Sequence, residues 1–170
     1  MSRKRRQLRR IAQRDWKNGD CGIACVAMVT RRPYSTALRV FRSLPQKADS
    51  PTLYTLHKDL ERMLRTLKHR SERGRFRSWR NIDQPAIVKV NARANGNWHW
   101  VVFDAGRSIA TVHDPKPGKN YLITDFRGLK GIGEYLKVTP NNTPHRTRAR
   151  ASRFVNRRTA RAGERGRYTA

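Results

Sequence analysis

Acidic side chains are scarce in this chain: 12 aspartates and glutamates stand against 39 lysines and arginines, a formal charge of +27 over 170 residues. That imbalance excludes an ordinary surface of mixed sign and implies a polyanionic partner, because self-repulsion in so small a body is costly. Cysteine is scarcer still, with only Cys21 and Cys25. Four residues apart on one predicted helix, they are poor disulfide partners, and two sulfurs without two suitably spaced histidines do not make a structural zinc site. No metal or cofactor is expected. Long apolar runs are also missing: the longest lies within 21–30, far too short to span a bilayer, and the basic N-terminus has no apolar segment of the secretory kind. The expectation is a chain with no transmembrane segment in a cytosol-like compartment.

The surplus charge is concentrated at both ends. Residues 1–14 hold Arg3, Lys4, Arg5, Arg6, Arg9, Arg10 and Arg14 and no acid, while 141–170 hold nine arginines, among them Arg146, Arg148, Arg150, Arg153, Arg157 and Arg158, against Glu164 alone. Such segments bury too little to offset their ordering entropy, so they read as a basic N-terminal arm and an arginine-rich tail, solvated until something binds them. Arginine predominates there, and its forked donors suit phosphate, so nucleic acid, DNA or RNA, is the expected partner. A membrane surface fits less well, since neither arm shows an apolar face. The segment 15–140 is left to form one domain, and with 23 cations against 11 acids it too is basic.

Within that domain the helical signals come first. Residues 21–30 are small or apolar throughout, a helix buried on most sides, with Asp20 at its start. Residues 34–44 repeat Ala37, Leu38, Val40, Phe41 and Leu44 at helical spacing with Ser35 as cap, and a third helix runs to Leu67 with Leu56, Leu60, Met63 and Leu64 on one face. Residues 68–80 read as a basic connection. Strands follow at 86–90, 98–103, 108–113 and 121–123, and 125–138 reads as a mixed segment with three glycines, its Gly131-Ile132-Gly133 a loop. Helices first and strands afterwards indicate an α+β fold with helices packed on an antiparallel sheet.

The chemistry centres on Cys21. A thiol in the first turn of a helix has its thiolate favoured by the dipole and by free N–H groups, as a nucleophile requires. Cys25, one turn deeper, reads as a packed hydrophobe. His99 opens a strand, and Asp114 follows the return strand 15 residues later, so antiparallel pairing brings them together and lets the carboxylate orient the imidazole. His113 should face the other side and stays outside the site. Trp16, Trp98 and Trp100 are candidates for a groove wall.

The stretches "DCGIACVAM", "HWVVF" and "HDPKPG", with "PAIVKV" before the second, resemble the papain-like cysteine peptidases that trim leader peptides from bacteriocin precursors, and their stand-alone bacterial and phage relatives. The similarity spans about residues 13–138. It implies a papain-like fold with Cys21 as nucleophile, His99 as general base and acid, and Asp114 as orienter. The family usually places a glutamine six residues before the cysteine to donate to the oxyanion; here that position is Asp15. Gln13, through a two-residue insertion, and Asn18 are the two candidate donors.

Two functions remain open on these grounds. One is a thiol peptidase or amidase acting on a peptide or protein substrate. The other is a non-catalytic papain-like scaffold whose arginine arms grip DNA or RNA, in the cytoplasm or packaged as a virion component of a phage particle. The two can coexist in one molecule.

Overall fold

The computed structural model of the chain describes residues 8–92, 94, 96–106, 109–118 and 122–140. Three helices come first, α1 (Cys21–Thr30), α2 (Tyr34–Arg42) and α3 (His57–Thr66), and then five strands, β1 (His69–Arg75), β2 (Ala86–Val90), β3 (His99–Asp104), β4 (Thr111–His113) and β5 (Gly131–Pro140). The strands form one antiparallel sheet in the order β1-β5-β2-β3-β4. The expected α+β order of helices followed by an antiparallel sheet is therefore the observed one.

Every residue of α1 is buried, as its unbroken small and apolar sequence requires. It packs between the other two helices and one face of the sheet, where Ile23, Cys25, Val26 and Met28 join Ile87, Trp100, Val102, Leu136 and Val138 in a single apolar cluster. The opposite face has a smaller core of its own: Val88, Val101, Phe103, Val112 and Tyr135 are covered by Trp79, Phe76, Phe126 and Leu129. There the Trp79 ring stacks on Phe103 at 5.6 Å between centroids, and its indole N–H donates to the Leu129 carbonyl at 3.1 Å.

Several local expectations are revised. The basic connection at 68–80 contains β1, an edge strand whose register runs from His69 opposite Pro140 to Arg75 opposite Glu134. Its residues, HRSERGR, show no apolar alternation because the strand is held by backbone pairing at the rim of the sheet, where cationic side chains also discourage further pairing. The mixed, glycine-bearing segment is β5, which lies inside the sheet between β1 and β2. Gly131 begins that strand rather than lying in a loop, through its pairing with Val90, and Phe76 occupies the space where a side chain would stand. Of the strand expected at 121–123, residue 121 lies outside the described residues, and Ile123 forms a single bridge opposite Val112. Ser35 does not cap α2, which starts at Tyr34 directly after Pro33.

The N-terminal segment departs from its expected character too. Leu8 is buried in the main core, Ile11 packs against it, and the Leu8 N–H donates to the buried Asp104 carboxylate at 3.0 Å. The packed body therefore begins at least seven residues before the boundary expected at 15.

Because β5 is central, truncating its fully buried Leu136 to Ala should cost about 2–5 kcal/mol in urea unfolding, as other core leucine truncations do. Lys137→Ala, on the neighbouring and partly exposed position, should change stability by no more than about 0.5 kcal/mol.

Candidate active site

The chain enters α1 through a turn that only glycine suits. Gly19 takes φ +80° after a 3-10 turn at Trp16–Asn18, and a side chain there would collide with the Tyr54 ring. Gly22, in the first turn of α1, is pressed so closely by Thr55 that a β-carbon would overlap its hydroxyl. The segment around 53–55 is locked against this turn, with the Leu53 N–H donating to the Asn18 carbonyl at 2.7 Å and Trp100 Nε1 to the Thr55 carbonyl at 3.2 Å. Cys21 thus opens α1 with its sulfur at the helix N-terminus and 6% of its surface exposed.

His99 opens β3, paired with Val90 of β2, and β4 returns antiparallel beside β3 and delivers Asp114 just beyond its end. The two side chains meet, His99 Nε2 to Asp114 Oδ1, at 2.7 Å. Cys21 lies near enough to the imidazole to act on its charge, while its sulfur sits 4.0 Å from the Gly19 carbonyl oxygen. Burial works against a charged ring, yet the hydrogen bond and charge of Asp114 and the nearby Cys21 side chain outweigh it and carry His99 up to about 9. The structure thus pairs His99 with Asp114 by a hydrogen bond and leaves Cys21 beside the imidazole.

Asp114 is fixed in turn: the same Oδ1 accepts the Lys116 N–H at 2.8 Å, an Asx turn at the start of the Pro115-Lys116-Pro117 loop.

Asp20, expected to cap α1, occupies the cap position without making the cap hydrogen bond. Its carboxylate turns to the loop before it, accepting from Gln13 Nε2 at 2.9 Å, the Arg14 N–H at 2.8 Å, the Asp15 N–H at 3.0 Å and the Tyr34 hydroxyl at 2.7 Å. This separates the two oxyanion candidates. Gln13 is held against the residue preceding Cys21, whereas the exposed Asn18 directs its amide to Asp15 at 2.9 Å. Asp15, in place of the family's glutamine, serves the loop through its N–H and its carboxylate.

Other expected residues are distributed differently. Trp100 is a core residue with 1% exposure and lines no groove, while Trp16 stands 61% exposed beside the loop leading to Cys21. Trp98 is half-buried with the Lys89 ammonium 3.9 Å from its ring centre. Cys25 is fully buried, and burial, helped by the charges of Cys21, Asp114 and Asp20, pushes its thiol well above its ordinary value. Of the residues expected to bind nucleic acid, Arg9 is exposed, and Arg10 is engaged inside the protein, donating to the carbonyls of Asp114 and Lys116. Arg3, Lys4, Arg5, Arg6, Arg146, Arg148, Arg150, Arg153, Arg157 and Arg158 lie outside the described residues. Sequence reasoning missed Asp20 and Tyr34 as organisers of the loop; the signal available was an acid standing directly before an apolar helix.

The chain belongs to the Peptidase C39 family, whose model matches residues 10–127, and is accordingly a cysteine peptidase-like protein. No curated protein matches it significantly. Two solved structures share its fold. A double glycine motif protease from an AMS/PCAT transporter, crystallised in complex with the leader peptide, aligns with a TM-score of 0.56 at 18% identity over 82% of this chain and 96% of that one. The peptidase domain of Streptococcus ComA, a bi-functional ABC transporter involved in a quorum sensing pathway, gives 0.58 at 16% identity over 79% of this chain and 99% of that one. The expected papain-like fold is thereby shown. Among the described residues no helix is long and apolar enough to cross a membrane, and no three His, Cys, Asp or Glu side chains gather as metal ligands.

Two histidines give folding opposite pH dependences. His99 titrates above its ordinary 6.5 when folded, so its contribution is complete below 6.5 and is lost as pH rises through about 9. His113, fully buried beside Thr111, is pushed below 6.5 by burial and by Arg10 against the pull of Asp104, so stability falls as pH drops below 6.5. As far as these groups decide it, urea midpoints should be highest near pH 6.5, and His113→Gln should flatten the acid limb while leaving the alkaline one.

Proposed function

We propose that the chain is a thiol peptidase that cleaves peptide bonds through a Cys21 thioester. The observation that carries this reading is the His99 imidazole, hydrogen-bonded to Asp114 and close to Cys21, which opens a buried helix. The thiol proton passes to His99, and the thiolate attacks the scissile carbonyl. The resulting imidazolium stays paired with Asp114 and then donates its proton to the departing amine, which leaves the acyl group on sulfur. Water gives a proton back to His99 as it attacks the thioester, and the acid product leaves with the thiol restored.

The negative oxygen of each tetrahedral intermediate falls beside the first N–H groups of α1 and Gln13. A glutamine amide has two N–H donors, and Asp20 occupies one, which orients the second. The substrate is a peptide or protein chain, and the fold's likeness to a protease crystallised with a leader peptide supports an extended peptide as its form.

A second activity rests on a different observation, the net charge of +27 and its concentration in arginine-rich ends. In this reading the arms hold DNA or RNA while the folded body carries the thiol site, as suits a protein that resides with nucleic acid in a cytosol or in a phage particle.

Cys21→Ala should abolish peptide cleavage without loss of folding, and iodoacetamide should modify Cys21 far faster than Cys25; equal, slow labelling of both would count against the enzyme. Gln13→Ala should lower kcat by about a hundredfold to a thousandfold, the usual loss for one oxyanion donor, and Asn18→Ala should leave it unchanged. For the arms, removing 1–7 and 141–170 should weaken nucleic-acid binding and flatten its salt dependence, by about 0.9 in log-log slope for each phosphate of duplex DNA that the shortened chain fails to neutralise. An unchanged slope would refute the arms as the part that grips the polyanion.

A further inference from the structure

The loop that carries Asp114 is rich in proline. Pro115 and Pro117 have no N–H, and the Lys116 N–H donates within the loop to Asp114 Oδ1. Its three successive carbonyls are taken by the N-terminal segment instead. Arg10 Nε donates to the Asp114 carbonyl at 2.7 Å, the Gln13 N–H to the Pro115 carbonyl at 2.8 Å, and Arg10 Nη2 to the Lys116 carbonyl at 2.6 Å. That segment is itself pinned at both ends, by Leu8 on Asp104 and by Gln13, Arg14 and Asp15 on Asp20.

We propose that Arg10 is a positioning residue for the Cys21–His99 pair, its guanidinium clamping the carbonyls on either side of Pro115 so that the Asp114 carboxylate is held in line with His99 Nε2. The forked guanidinium suits this task because two of its donors point in fixed directions and reach two acceptors at once. Moving the loop displaces the carboxylate from the ring, and the 2.7 Å bond that orients the imidazole lengthens or breaks. The strap also carries Gln13, so one segment sets both the orienting acid and the candidate oxyanion donor. This role rests on the thiol-peptidase reading, although the decisive measurement needs no substrate.

Arg10 is a cation, and that fact gives the test a sign. Acting only as a charge, it would disfavour the imidazolium, and its removal would raise the His99 titration midpoint. Acting by positioning Asp114, its removal lowers the midpoint. The charged groups on the elements around the ring are Cys21 and Asp20 at the start of α1, Asp114 after β4, Lys89 of β2 stacked on the neighbouring Trp98, and Arg10 itself.

The experiment is an NMR titration of His99 in the full chain as wild type, Arg10→Ala and Arg10→Lys, with peptide cleavage kinetics alongside. Arg10→Ala is expected to lower the His99 midpoint and to cut kcat by between about tenfold and about a hundredfold with little change in KM, the pattern of a misplaced catalytic group. Arg10→Lys, which keeps the charge and loses the fork, is expected to fall between the two. Where Arg10→Ala fails to fold, Arg10→Gln, with one amide for the two carbonyls, takes its place in the same titration. A midpoint that stays or rises in the variant overturns the proposal. A wild-type chain that cleaves no peptide, with the midpoint still falling on substitution, removes the peptidase reading and leaves the positioning role intact.

Discussion

A carboxylate with no exposed surface determines how the N-terminal end of α1 is built. Asp20 is costly to bury, and it is tolerated because four donors converge on its two oxygens, two from backbone N–H groups and two from side chains. All but one belong to the loop at 13–15, so the chain before Cys21 is folded back onto the residue that immediately precedes it. The remaining donor is the Tyr34 hydroxyl, whose ionisation is pushed upward by burial and by its bond to Asp20, so that it stays a donor across the accessible pH range. The Arg14 guanidinium covers the same ring at 5.0 Å.

This arrangement accounts for an acid at the position where relatives carry their glutamine. Asp15 contributes a backbone N–H to Asp20, a service that does not depend on its side chain. The Gln13 amide, two residues upstream, is held by Asp20 itself, next to the residue that opens α1. The 3-10 turn at Trp16–Asn18 and the left-handed Gly19 carry the chain from that loop into α1.

How much of this could be read in the sequence depends on where the stabilising interactions lie. The helices were legible because their burial is encoded in spacing within one segment, and the meeting of His99 with Asp114 because an antiparallel return fixes the distance between two strand ends. β1 and β5 were hidden for one reason: each is specified by its backbone partner more than by its side chains, the first being charged and the second broken by glycine. Arg10 was hidden by its neighbours. In a run of arginines nothing local distinguishes the one whose guanidinium serves two carbonyls of a distant loop from those left to solvent, and the separation of more than 100 residues between donor and acceptors lies beyond any periodicity.

The scarcity of acids is sharper at the surface than in the composition. Asp20, Asp59, Asp104 and Asp114 are all buried, so a third of the chain's 12 acids are enclosed, each with a hydrogen-bonding task. Buried charges are screened little by salt and act on their immediate partners, whereas exposed cations act outward over about 8–10 Å at physiological ionic strength. The protein thereby separates two electrostatic roles: negative charge inside organises a strap, an imidazole and a helix start, and positive charge outside faces whatever anion the chain meets. Arg10 is where the two meet, a cation taken from the basic end and turned inward, and it pairs there with carbonyl oxygens rather than with an acid. That choice leaves the Asp114 carboxylate to serve His99, because a guanidinium bound directly to the carboxylate would compete with the imidazolium for the same oxygens.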